Sequence, residues 1–117
     1  MGSTGWALLV KLGFTFIAGL LTLALFDGNT WLAVLVWAAA VTAANYLIGD
    51  RYILPTVGNP IAAVVDGVLA AGLAWLLGVA FPWFRTTGAT LVALAAVIAI
   101  MEYFFHVFLK ESRTVLP

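Results

Sequence analysis

The chain has 117 residues, 65% of them hydrophobic and 9% charged, and its five basic and five acidic side chains sum to zero. A water-soluble domain of this size carries about a quarter charged residues, and its surface needs polar groups that this composition lacks, so the solvent it is built for is lipid. Zero net charge without a basic stripe excludes a nucleic-acid partner, and the absence of cysteine excludes disulfides, thiolate metal sites and cysteine nucleophiles.

Uninterrupted apolar stretches cover about 6–26, 31–48, 61–81 and 87–109, each near the roughly 20 residues a helix needs to cross a bilayer. Backbone in hydrocarbon must satisfy its own hydrogen bonds, and the ten-residue alternation of a barrel is missing. The prediction is therefore all-α: one integral membrane domain over 1–117, an antiparallel bundle of four transmembrane helices.

The first span begins at Trp6 and contains Lys11. That lysine, and an end offering only Thr22 and Ala24 as small residues, argue for a retained span instead of a cleaved signal. Asp27-Gly28-Asn29-Thr30 reads as a tight turn whose Thr30 caps the second helix. The next connection, 49–60, contains Asp50, Arg51 and Pro55 and closes on Asn59-Pro60, which reads as a helix cap followed by a first-turn proline, starting the third helix at Pro60. Asp50 and Arg51 read as interfacial anchors, or, with Asn59, as a lid folded over the polar residues beneath. Pro82-Trp83-Phe84-Arg85-Thr86 sets aromatics beside an arginine, as headgroups favour. Trp6, Trp31 and Trp83 fall at span ends as belt residues, while Trp37 and Trp75 lie deeper. Arg51, Lys110 and Arg113 share a side with the N-terminus against Arg85 alone, which predicts that both termini face the cytoplasm.

Inside the spans lie Lys11, Asn45, Asp66, Glu102 and His106. At about 1.5 Å per residue their depths coincide in one layer in the cytoplasmic leaflet. Lys11, Thr15, Ala18 and Thr22 follow a 4-3-4 spacing that returns within roughly 20° of its starting direction. The same spacing gives Ala95, Ala99, Glu102 and His106, while Ala38, Thr42 and Asn45, and Ala63, Asp66, Ala70 and Ala74, line the other two helices. These small and polar seams are expected to converge, because lipid supplies no hydrophobic drive between helices and close approach needs small side chains. Gly67, Ala71, Ala74 and Gly78 form a second small-residue face, suited to the bundle or to a partner subunit. A lone charge at mid-depth costs at least about 2.5 kcal/mol, so pairing is expected: Lys11 with Asp66 or Glu102, and Glu102 with His106 one turn away.

Lys11-Leu12-Gly13-Phe14, the central Asn45-Tyr46-Leu47-Ile48-Gly49-Asp50 leading to Ile53-Leu54-Pro55 and Asn59, Asp66, and Glu102-Tyr103-Phe104-Phe105-His106 together resemble the YndM-like family of small four-helix membrane proteins. That family is a domain of unknown function found mainly in Gram-positive bacteria. The resemblance covers nearly the whole chain and implies a plasma-membrane location and this fold. It brings no established activity, ligand or catalytic residue.

Function is thus argued from the polar layer. One reading is a hydrogen-bonded plug that fixes helix register and stabilises the assembly, or a site for a small ligand. The alternative is a dimeric proton- or ion-coupled small-solute transporter or channel, since four short helices enclose too little for a pathway in one copy. A metal held by Asp66, Glu102 and His106 is a third possibility. No nucleophile or phosphate-cradling loop accompanies the carboxylates, so an enzyme is not expected, nor is a cofactor. Membrane lipids and a second copy of the chain are the expected partners.

Overall fold

The computed structural model describes residues 2–48 and 54–111, with side chains from 5 to 48 and from 56 to 108. Asp50, Arg51 and Arg113 lie outside the described residues, as does the side chain of Lys110. Helix α1 spans Gly2–Gly19 and runs on as a π-helical turn over Leu20–Ala24; α2 spans Trp31–Ala44, α3 Leu54–Val57, α4 Asn59–Ala80 and α5 Gly88–Glu111. A second π-helical turn carries α2 on through residues 45–48. Four stretches, Gly5–Ala24, Trp31–Ile48, Asn59–Ala80 and Gly88–Phe108, are long and apolar enough to cross a membrane. The 22 residues of α4 extend about 33 Å, close to the thickness of a bilayer's hydrocarbon. The fold is all-α and, among the described residues, without strands.

Helix α1 packs on α2 and α5, and α4 packs on the same two helices, closing a four-membered ring. The turns between them follow local chemistry. Gly28 adopts a φ of 73°, where a side chain would be strained, and so lets the Asn29 N–H reach back to the Leu23 carbonyl at 3.2 Å. Thr30 caps α2 as its position predicts, accepting from the Ala33 N–H at 3.1 Å. The same turn is tied to the connection between α4 and α5. The Asn29 amide donates to the Arg85 carbonyl at 2.7 Å and accepts from the Arg85 N–H at 2.8 Å. Asp27 accepts from the Thr87 N–H at 3.1 Å and the Thr90 hydroxyl at 2.9 Å. Residues that read as mere turn formers thus join two loops far apart in sequence.

Two expectations need correcting. The N-cap of α4 is Gly58, at a φ of 88°, and the helix starts at Asn59 with Pro60 in its first turn. The Asn59 side chain leaves the capping position because stronger partners wait on α5. The buried line of α5 also runs through Leu94, Ile98, Glu102 and His106, while Ala95 and Ala99 are only half-buried. The cause is the approach of α4: a Cβ on Gly67 would strike the Ala95 carbonyl oxygen and meet the Ala99 Cβ at 3.2 Å. The two alanines serve as the landing surface for α4, and this rotation turns Leu94 and Ile98 inward. Gly67, with Gly78 beside Thr86, therefore serves packing within the bundle.

The interior has two storeys. One is apolar, centred on Trp37 with Leu23, Val34, Val41, Leu94 and Ile98, and the Trp37 indole N–H donates to the Ala70 carbonyl at 3.0 Å. Trp75, by contrast, is exposed on the outside with Trp6, Trp31 and Trp83. The other storey is polar.

Candidate functional site

Every charged side chain predicted inside the spans is removed from the surface. Lys11, Asn45, Asp66, Glu102 and His106 each have zero exposure, and Asn59 is buried beside them. Four helices deliver these groups: Lys11 from α1, Asn45 from the end of α2, Asn59 and Asp66 from α4, Glu102 and His106 from α5. The inward turn of each follows from its helix's seam, because a charge rotated outward would meet hydrocarbon.

Glu102 is the hub. Its Oε1 lies 3.2 Å from the Lys11 ammonium and 3.5 Å from His106 Nε2, one helical turn along α5. These are charge contacts without the alignment of a directed hydrogen bond. Its Oε2 accepts from the Asn45 amide at 3.3 Å. The Lys11 ammonium also lies 5.3 Å from the centroid of the Phe105 ring, within cation–π range. His106 Nε2 reaches Asp66 Oδ2 at 3.2 Å, a direct contact between two residues that the sequence places in one layer without pairing them.

Asn59 is the residue that sequence reasoning misplaces. Its amide donates to the Tyr103 carbonyl at 3.0 Å, and its Oδ1 lies 2.8 Å from His106 Nδ1. An asparagine before proline carries the signature of a helix cap, and nothing local signals a partner more than forty positions away. The lid role considered for Asn59 gives way to a place within the cluster itself; Asp50 and Arg51, its companions in that expectation, fall outside the described residues.

With Lys11 and His106 protonated and both carboxylates ionised, the formal charges sum to zero; with neutral imidazole they sum to minus one. Asp66, Glu102 and His106 each offer a ligand atom within 4.8 Å of the others, the separation of a metal triad. The ammonium of Lys11 already sits on Glu102 Oε1, however, and a divalent ion would leave the group at plus one, where a single proton brings it to zero. Three more polar atoms, Thr15 Oγ1, Thr42 Oγ1 and Asn45 Oδ1, are buried on the α1 and α2 side of the layer with no hydrogen-bond partner among the described residues. Outside that side runs an apolar groove of about 510 Å³, lined by Leu8, Leu12, Thr42 and Tyr46 among others.

Comparison with curated proteins and with solved structures yields no match. The model of a family described as "Protein of unknown function (DUF2512)" matches residues 4–115. A match over nearly the whole length, including all four helices and each member of the buried cluster, places this chain in the DUF2512 family, in agreement with the YndM-like resemblance carried by its motifs.

Proposed function

We propose that the protein is a non-enzymatic, multi-pass protein of the plasma membrane whose polar layer stabilises its helical assembly. The observation that carries this reading is the delivery of polar side chains from α1, α2, α4 and α5 into one cluster shielded from solvent. A charge left alone at that depth costs at least about 2.5 kcal/mol, and the cost is lifted only while the helices keep the register and rotation that bring opposite charges together. The cluster thereby selects one arrangement of helices that are otherwise coated in interchangeable apolar side chains. The excess of Arg51, Lys110 and Arg113 over Arg85 assigns both termini to the cytoplasm, and this sets the polar layer in the inner leaflet. Reporter fusions at each end test that assignment. Glu102→Gln and His106→Ala are expected to lower thermal stability in detergent without altering proton or solute flux into liposomes; lost flux at unchanged stability overturns the reading.

A second reading, a homodimeric proton- or ion-coupled transporter or a site for a small ligand, is favoured by Thr15 Oγ1, Thr42 Oγ1 and Asn45 Oδ1. Buried polar atoms of this kind are ordinarily satisfied, and a polar solute or ion passing between α1 and α2 would satisfy them. One copy encloses too little space for a complete path, so this reading requires the dimer. A protein that stays monomeric in lipid nanodiscs ends it.

A further inference from the structure

We infer that Nε2 is the proton-exchanging nitrogen of His106, made so by Asn59, which holds the opposite ring nitrogen as a permanent N–H. The inference deepens the proposed structural role of the layer and rests on it.

A backbone carbonyl accepts hydrogen bonds and cannot donate them. The Tyr103 backbone carbonyl accepts the Asn59 amide at 3.0 Å, so the NH₂ of Asn59 must point at Tyr103 and its oxygen must point the other way. That oxygen meets His106 Nδ1 at 2.8 Å, and an amide oxygen only accepts, so Nδ1 carries the hydrogen. One nitrogen is thereby fixed and the other left for chemistry, as when a partner of one ring nitrogen sets the role of the other. Nε2 faces Asp66 Oδ2 at 3.2 Å and Glu102 Oε1 at 3.5 Å, both of them oxygens that can receive its proton.

Among the described residues, the charged groups facing the imidazole include Asp66 from α4 and Glu102 from α5, with Lys11 from α1 held against Glu102; α2 contributes the neutral amide of Asn45 to the same carboxylate. A transfer within the cluster breaks the Nε2–H bond and forms an O–H bond on Asp66 or Glu102, converting imidazolium and carboxylate into neutral imidazole and carboxylic acid with the total charge unchanged. Loss of the proton from the cluster leaves it at minus one. The layer is thus a binding site for a single proton, with Asn59 as its positioning residue.

His106 is the only histidine in the chain, so ¹⁵N-histidine labelling gives one imidazole signal pair when purification avoids a histidine tag. In nanodiscs titrated across the pH range in which the bundle stays folded, Nδ1 is expected to keep the shift of a protonated nitrogen throughout, and any change of protonation is expected at Nε2. An unprotonated Nδ1 anywhere in that range, or an Nε2 signal that does not move while the bundle stays folded, overturns the inference. Asn59→Leu is expected to release the lock, so that the tautomer protonated on Nε2 appears; persistence of a pure Nδ1–H tautomer in the folded variant also overturns it. Should the variant fail to fold, the wild-type signals decide alone. The stability measurements on Glu102→Gln stand apart from this readout, so an unprotonated Nδ1 beside a strong stability loss rejects the proton site and leaves the structural role standing.

Discussion

Removing one member of the Lys11–Glu102 pair should cost more than half of what removing both costs. At 3.2 Å and an effective dielectric constant of about 20, the attraction between the two charges is about 5 kcal/mol before desolvation is counted. Breaking a buried pair by deleting one partner destabilises by about 3–5 kcal/mol, because the survivor stays buried without its counter-charge. Lys11→Met takes the cluster from zero to minus one when His106 is protonated, Glu102→Gln takes it to plus one, and the double variant returns it to zero. Each single variant is therefore expected to lose about 3–5 kcal/mol, and the double variant to lose less than the sum by about 1–3 kcal/mol, the coupling seen for residues in direct contact. Reversible unfolding in mixed micelles of increasing dodecyl sulfate content, followed by circular dichroism, measures all four corners of the cycle. Losses that add without coupling would refute the claim that these two charges answer each other.

The contact of α4 with α5 makes Gly67→Ala destabilising by about 1–3 kcal/mol, since the new methyl meets the Ala95 backbone, whereas Gly72→Ala, with nothing within 4 Å of its Cβ position, is expected to be neutral or to gain up to about 1 kcal/mol; the same unfolding assay compares them. Trp37→Phe puts a single ring in place of the buried indole, losing both the N–H bond to the Ala70 carbonyl and core volume, and should lower stability by about 1–3 kcal/mol. Asp27→Ala unties the loop before α2 from the start of α5 and is expected to cost about 1–3 kcal/mol, with faster amide hydrogen exchange at Thr87 and Thr90 as its local signature.

The spans and the inward polar seams were legible because lipid punishes error severely: a lysine or glutamate has few places to go in a bilayer, and helical spacing then dictates direction. Lys11 meeting Glu102 is one of the two pairings that this reasoning left open, Asp66 being the other, and Glu102 reaching His106 across one turn follows from helical spacing. What escaped it depends on how helices lie against each other. The rotation of α5 that buries Leu94 and Ile98 is decided by where Gly67 lands, and spacing on α5 carries no record of α4. Asn59 and Asp27 belong to residue types whose local roles, caps and turns, are so common that distant partners leave no local trace. Asp66 and His106 share a depth in the sequence, but which carboxylate on another helix the imidazole faces depends on helix rotations that are set only by packing.

The order in which the cluster's members are made has a consequence for biogenesis. Lys11 leaves the ribosome 91 residues before Glu102. At synthesis rates of about 5–20 residues per second, its ammonium waits about 5–18 s for the carboxylate that will neutralise it. During that interval the first helix suits neither free lipid nor its final seat, and its long side chain can relieve the conflict only by stretching toward the headgroups. A first helix released early therefore carries the cost of a lone buried ammonium until the last helix emerges, so the C-terminal quarter of the chain is the part that lifts it.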